Sequence, residues 1–526
     1  MNKDITKIIL VTAGAVLFNL VFWNEKLAIN TVLFDAFLLS ALFFLYPQAR
    51  KHASVNWLLL GHLVCLAMVV VHNTELSKIA FVITGLLLAG FAEYAHRSVW
   101  FAGGSIFMNM VMVAASFVEP IRFNRGPAIK RRSVSRVIRF AVFPIILLIV
   151  FFCIYLGANN VFSDIAGRIG AQLELFFNHF FDFFSWERSL FLLLGLLITG
   201  TILLKSKLDY FSVREARLHD GLQRSRKSLN QRKKGAFFQV IEMIMGRMAS
   251  GIMALKNENT TGIISLVLLN ILLLVVNIID VNFLWIHFQY KEGEPIYKMV
   301  HEGTELLIVS IVLAMAILLF FFKGNLNFYR RNKWLRYGAY AWIIQNAMLV
   351  SSVFLRDYYY ILRHGLAYKR IGVLFFLLMV LVGLTTVFFK IWNRKTNYFL
   401  FRVNAWAGIV VLVLATTIHW DEFIAGYNLK RKNTVDLDVP FLLSLSDKAL
   451  PLIDTNIVAL QKRQNDLQAL STNRGAACDT CFIELLKQRE LAFAEKQQQF
   501  SWLSWNYADA YTKRYFQKKR LITAVH

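Results

Sequence analysis

Charge is scarce in this chain, and acidic charge most of all: 17% of its 526 residues are Asp, Glu, Lys or Arg, and 33 acids face 58 basic residues. Soluble domains devote about 25% of their residues to charge, so an ordinary water-exposed surface is excluded. Four cysteines are present, and two of them, Cys65 and Cys153, fall in apolar stretches. Only Cys478 and Cys481, in "CDTC", remain for thiol chemistry, and a zinc site there lacks its other two ligands. No thioredoxin-like context surrounds that CxxC, so a local disulfide or two ordinary thiols are the expectation. No phosphate loop is present, which excludes nucleotide-driven transport by this chain alone. No complete HExxH appears, and no pair of Gly/Pro-broken helices recurs in two matching halves, as many secondary transporters require.

What fills the chain is apolar: 57% hydrophobic residues and a mean hydropathy of +0.50. Runs near twenty residues recur along most of its length, the length that crosses a bilayer. Such runs must be helical, because in lipid every backbone donor and acceptor has to be paired within its own segment. The pattern predicts an all-α, polytopic transmembrane helix bundle of about 12 membrane helices with a small helical C-terminal tail. Segments are expected near 5–23, 27–46, 55–72, 78–94, 99–118, 139–157, 189–204, 261–287, 300–322, 334–355, 370–390 and 403–420. Trp23-Asn24-Glu25-Lys26 leads from the first run straight into the second with no small-residue cleavage site, which predicts an uncleaved first helix.

Basic loops set the expected orientation, since cytoplasmic loops carry an excess of Lys and Arg. The link 119–139 has seven basic residues against one acid, and 205–234 has ten against three. Both are expected inside, with 323–333 and 390–402. Segments 158–188, 288–299, 356–369 and the tail after 418 then lie outside. Counting back, this alternation puts the N-terminus and Arg50-Lys51 outside, against the preference of Lys3 and Lys7, unless one of the first five segments fails to cross.

The organisation expected is thus N-terminal membrane helices over 1–204 with an amphipathic segment at 158–188, a basic cytoplasmic insert over 205–260, C-terminal membrane helices over 261–426, and a helical extramembrane tail over 427–526. The net charge of +25 sits beside membrane segments, where it serves orientation and attraction to anionic lipid at about 1 kcal/mol per residue. No basic face interleaved with aromatics is visible, so nucleic acid is not expected as a partner; lipid and protein partners are. Trp23, Trp57, Trp100, Trp334, Trp392 and Trp420 fall near segment ends, as an interfacial belt requires.

Polar groups at membrane depth are functional suspects because they are costly to hold there. His301, Glu302 and Glu305, in "YKMVHEGTELL", open the ninth segment on the outer side. His301 and Glu305 share a helix face four residues apart, half of a zinc-peptidase pattern with Glu302 as base, which supplies the metal-hydrolase alternative. The competing expectation is that these acids pair with cations. The link "LRDYYYILRHGLAYKR" offers Arg356, Arg363 and Arg370, and Arg356 and Arg363 share a face if it is helical. Asp280 is the most deeply placed acid of this half, with Asn277 and Asn270 before it. Asp280, His301, Glu302, Glu305, Arg356, Arg363 and Arg370 are therefore expected to form one polar cluster near the outer surface. No catalytic residue, metal or cofactor is assigned.

The run "HEGTELLIVSIVLAMAILLFF", the link "LRDYYYILRHGLAYKRIGV" and "IHWDEFIAGYNLKRKNTVDLDVPFLLSLSDKALPLI" resemble an uncharacterised family of bacterial multi-pass inner-membrane proteins, a domain of unknown function. Its members typically show a His/Gln-Glu-Gly-like helix start, a link reading "YGLTRLR" and an "IARYN" segment followed by Asp and "YLLSLS". This chain departs at His364, Ala367, Tyr368 and Lys369 in the link and at Gly426 in "IAGYN". The resemblance covers roughly Asn277 to Ile453 and leaves out the N-terminal segments and the CxxC. It implies a bacterial inner-membrane location and no particular chemistry. The expected function is non-enzymatic: an envelope scaffold, signalling or ligand-binding membrane protein, with a secondary transporter as the alternative.

Overall fold

The computed structural model describes residues 3–116, 185–205, 209–223, 254–286, 296–322, 325–431, 438–458, 460–461 and 481–525, with a few isolated positions between 148 and 170. Among these residues, regular structure is helical throughout. The chain divides into two compact units: residues 1–215 with 496–507, and residues 216–495 with 508–526. The divide falls inside the expected 205–260 insert, and the tail contributes residues to both units.

Six helices build the first unit: α1 (Lys3–Phe22), α2 (Ile29–Leu45), α3 (Ala53–Val71), α4 (Glu75–Tyr94), α5 (Val99–Ser116) and α6 (Trp186–Leu203), with the short α7 (Tyr210–Ala216) beside them. The turns between them are tight and capped. Thr74 Oγ1 accepts from Ser77 N at 3.2 Å to start α4, and Asn73 Nδ2 ties Leu27 O at 2.6 Å to the α3 end. Helices α1 and α6 run antiparallel and close: Thr199 Oγ1 reaches Val11 O at 3.2 Å, and Asn19 Nδ2 reaches Arg188 O at 3.3 Å. Gly14 and Gly195 permit that approach, since a methyl on Gly14 would stand 2.7 Å from Thr199 and one on Gly195 2.9 Å from Phe18. Small residues at a crossing let helices gain contact area where lipid offers no hydrophobic driving force.

This packing puts the N-terminus at the end of the first unit where Lys205 follows α6, whereas the expected alternation placed the two on opposite sides. Antiparallel α1 and α6 bring Lys7 and Lys205 to one end, and Tyr46, at the end of α2, hydrogen-bonds Leu203 O there at 3.1 Å. Arg50, Lys51 and Arg97 follow helices that finish at the same end. Alternation counted through the segment expected at 139–157, which lies outside the described residues, had separated these charges; the helix packing gathers them.

In the second unit, α8 (Ala254–Asp280, continued by a π-helical turn Val281–Ile286), α9 (Ile296–Phe321), α10 (Lys333–His364), α11 (Tyr368–Trp392) and α12 (Asn397–Thr416) form the apolar bundle. Leu266, Ile311, Leu318, Leu335, Val350 and Leu384 are central to its core. Five further helices follow: α13 (Trp420–Lys430), α14 (Val439–Ser444), α15 (Leu450–Asp454), α16 (Cys481–Gln498) and α17 (Tyr507–Val525). A second apolar cluster joins Ile361, Leu366 and Ile424 to Leu442, Leu450, Leu486 and Phe516 of these tail helices.

Among the described residues eight helices are long and apolar enough to cross a membrane: those in α1, α3, α4, α6, α8 with its continuation, α10, α11 and α12. The expected count of about 12 is not confirmed among the described residues. Ile29–Leu45, Val99–Ala114 and Leu307–Phe321 are apolar but shorter over their described residues, and the helix that holds the third runs in full from Ile296 to Phe321. The expected boundary at 355 is also corrected, as α10 continues to His364. Most of the segment at 158–188 and of the insert at 205–260 lies outside the described residues, as does Cys478. Cys481 opens α16, but its side chain is outside them too.

Candidate functional site

Helices α8 and α10 lie side by side and run in the same direction, with α9 returning the chain between them. A polar seam follows their contact. Asn270 Nδ2 donates to Gly338 O at 3.0 Å, Gln345 Nε2 to Asn270 Oδ1 at 2.8 Å, and Asn277 Nδ2 to Gln345 O at 3.1 Å. Further along, Trp285 Nε1 reaches Ser352 Oγ at 3.3 Å. Because the two helices keep the same direction, residues three or four apart on each meet partners in step, and amides serve where lipid supplies none.

The seam ends in charge. Arg356 donates to Asp280 Oδ1 at 2.5 Å, the side chains 13% and 8% exposed. The pair is single-pronged: Asp280 Oδ2 and Arg356 Nε are both buried and take no hydrogen-bond partner among the described residues. One turn on, Tyr360 lies under the Arg370 guanidinium at 4.3 Å. Arg370 also donates to the carbonyls of His364, at 2.9 Å, and of Gly365, and so closes the last turn of α10 with a cation. Gly365, at φ 77°, supplies the left-handed turn that stops α10. Beyond it, Asn428 of α13 treats Leu366 as a peptide partner, accepting from its N–H at 2.6 Å and donating to its carbonyl at 2.9 Å.

Of the residues singled out in the sequence, the fold brings Asp280 and Arg356 into contact and puts Arg370 close by on the following helix. Arg363 is exposed on α10. His301, Glu302 and Glu305 belong to the first turns of α9, and their side chains lie outside the described residues. The opposite end of α9 packs Phe321 beside Gly262 and Leu335, where α8 and α10 begin. Sixteen residues separate Phe321 from Glu305, about 24 Å of helix, so the first turns of α9 return to the end of the unit that carries Asp280. Among the described residues no group of three or more His, Cys, Asp or Glu side chains is arranged to hold a metal.

Next to this end, His419 Nδ1 caps α13 by accepting from Glu422 N at 3.3 Å, and Ser446 donates to Asp421 Oδ2 at 2.5 Å. Burial, with Asp421 alongside, pushes the Glu422 carboxyl above its ordinary range, and Lys448 opposes that. Asp454 anchors α17 through Lys519 Nζ at 2.7 Å and Tyr515 OH at 2.8 Å; burial first, and then Asp454, push the Tyr515 phenol up.

Several buried polar groups gave no sequence signal. In the first unit, Glu215 of α7 accepts from Ser98 N at 2.8 Å and pairs with His96 Nδ1 at 2.6 Å, while His96 Nε2 meets Ser105 Oγ at 2.7 Å. Asn109 donates to Glu93 at 2.5 Å and accepts from Tyr94 OH at 2.9 Å. In the second unit, Lys390 is 1% exposed and donates to Phe322 O at 2.6 Å, at the end of α9. Each group joins residues distant in sequence, where no local spacing reports on them.

These helices define a multi-pass helical membrane protein. Its family follows from the sequence: the chain belongs to the family described as Domain of unknown function (DUF4153), which matches residues 33–456. That match reaches well beyond the Asn277–Ile453 resemblance and takes in most of the N-terminal helices, while the CxxC stays outside it. No curated protein and no solved structure matches the chain.

Proposed function

We propose that this protein is a non-enzymatic component of the bacterial inner membrane, and that the end of the second unit bearing Asp280 and Arg356 is its non-cytoplasmic interaction site. Orientation is argued from charge. The opposite end of that unit carries Arg330, Arg331, Lys333, Arg336, Arg394, Lys395 and Arg402 beside the starts of α10 and α12, the excess that marks a cytoplasmic face. One observation carries the binding reading: a desolvated Arg–Asp pair keeps a buried donor and a buried acceptor that take no partner among the described residues, beside the exposed Arg363 and Tyr358. Arg–carboxylate pairs are frequently bidentate, and a single-pronged pair keeps capacity for a second group.

Reporter fusions at Lys227 and His526 test the sidedness: Lys227 should report cytoplasm and His526 the opposite side. A photo-crosslinking residue at Tyr358 then tests the site. Capture of a protein or small-molecule partner, lost in Arg363→Ala, supports recognition. Crosslinks to lipid alone, or a cytoplasmic His526, would refute it.

A further inference from the structure

Helices α2, α3 and α4 of the first unit meet at three buried side chains: Asp35 is 4% exposed, His62 1% and Thr84 0%. His62 and Thr84 stand at the midpoints of α3 and α4. His62 Nδ1 lies 2.9 Å from Thr84 Oγ1 and Nε2 3.0 Å from Asp35 Oδ1. The ring stacks on Phe81 with centroids 4.9 Å apart, and Gly85 leaves room for it, since a methyl there would be 3.0 Å from the imidazole.

Thr84 Oγ1 has one hydrogen and three acceptors in reach: Ala80 O at 2.7 Å, Phe81 O at 3.1 Å and His62 Nδ1 at 2.9 Å. When that hydrogen goes to a backbone carbonyl, Nδ1 is the donor to Thr84 Oγ1. A second proton must then lie between Nε2 and Oδ1, because without it a lone pair of neutral imidazole would face a lone pair of carboxylate at 3.0 Å. With that proton the pair carries no net charge, whichever partner holds it. Without it a carboxylate stands alone in a buried site, at a cost of several kcal/mol for an uncompensated ion. Asp35 Oδ2 is buried and has no partner among the described residues, so nothing else there offsets the charge.

Charged groups on the surrounding elements stand away from this level. Lys78, on α4 six residues from Thr84 and so about 9 Å along the helix, is paired with Glu75 at 2.8 Å. Glu25 and Lys26 lie in the α1–α2 turn, His72 at the α3 cap, and Glu187 and Arg188 at the start of α6. Lys7, Arg50, Lys51, Glu93 and Lys205 belong to the opposite end. Cys65 is buried one turn from His62.

The two directions out of the site differ. Toward the Glu25 end the buried apolar residues Phe34, Leu66, Val69 and Ala80 are interspersed with the buried polar residues Thr31 on α2, Ser77 on α4 and Asn73 after α3. Toward the Lys7 end, Leu38, Leu42, Leu58, Leu88 and Phe91 are buried and apolar. We propose that Asp35, His62 and Thr84 form a one-proton binding site inside the first unit, loaded and emptied through its Glu25 end. The ligand is a proton from water; the Nε2–H···Oδ1 bridge forms as it enters and breaks as it leaves, with no oxidation or reduction.

Infrared difference spectra of the full-length protein, grown on isotope-labelled histidine and stepped across the pH range its fold survives, test this. One imidazole band and one carboxyl band should change together, and both changes should vanish in Asp35→Asn and in His62→Gln, while His72→Gln and Cys65→Ser keep them. An unmodified protein with no coupled change overturns the proposal without reference to any variant, and so does a change that survives Asp35→Asn in folded protein. In oriented proteoliposomes the signal should follow pH on the Glu25 side and slow about tenfold or more in Thr31→Val with Ser77→Ala. A signal that follows the Lys7 side overturns the direction of access.

Discussion

Arg356 reaches from α10 to α8 and holds Asp280 at 2.5 Å with both side chains largely withdrawn from solvent. Removing one member leaves the other buried and unpaired, whereas removing both leaves only a packing problem. Arg356→Ala should therefore lower stability by roughly 3–5 kcal/mol, and Arg356→Met with Asp280→Leu should recover most of that loss. Thermal unfolding in detergent checks it; equal melting of Arg356→Ala and the unchanged protein would sink the pair as a structural element.

Asn428 bridges to Leu366 through both backbone groups, at 2.6 and 2.9 Å. Asn428→Ala strands a buried N–H and a buried carbonyl and should cost roughly 2–4 kcal/mol, with Asn428→Asp, which keeps only the acceptor, in between. Denaturant titration followed by Trp420 fluorescence reads the difference, and a silent alanine variant would show that the α10–α11 turn does not depend on α13.

The raised carboxyl of Glu422 makes stability fall as pH rises. The folded chain keeps a proton that the unfolded chain has released, so the contribution is complete below the ordinary glutamate range near pH 4 and is lost as pH climbs through the raised value. Glu422→Gln imitates the protonated form at every pH. It should melt higher than the unchanged protein at about pH 8 and converge with it at about pH 4. Parallel pH–melting curves for the two proteins would contradict this.

Gly90 and Gly372 make a matched pair. A methyl on Gly90 would lie 2.8 Å from the Ala102 carbonyl oxygen, which belongs to backbone and has little room to yield, while nothing stands within 4 Å of one on Gly372. Gly90→Ala should cost about 1–3 kcal/mol through forced separation of α4 and α5. Gly372→Ala should be neutral or gain at most about 1 kcal/mol. Melting temperatures in one detergent decide between them.

Long apolar runs made the helices legible, because lipid leaves the backbone one solution. Asp280 and Arg356 stood out within a wider expected cluster, each an ionisable residue near the end of an apolar run and so in need of a partner, but their pairing with one another was not legible. What escaped is whatever depends on helix rotation and tilt. Asp35 is an acid inside an apolar run, but His62 and Thr84 lie 27 and 49 positions beyond it on other helices, and no spacing rule joins three helices. Lys390 was taken for loop charge, although it reaches back to the end of α9. In sequence the Tyr/Arg link stays open between loop and helix, since its arginines interrupt the apolar run, and the helix continues through it to His364.

Ser504 binds Glu25 across 479 positions of chain, and Lys26 N donates to Ser504 Oγ at 2.7 Å. Glu25 is made before the helices from α2 to α16, and Ser504 after them. Contacts of such long sequence separation form slowly, so the α1–α2 turn stays open, to solvent or to chaperones, until Ser504 arrives to seal it.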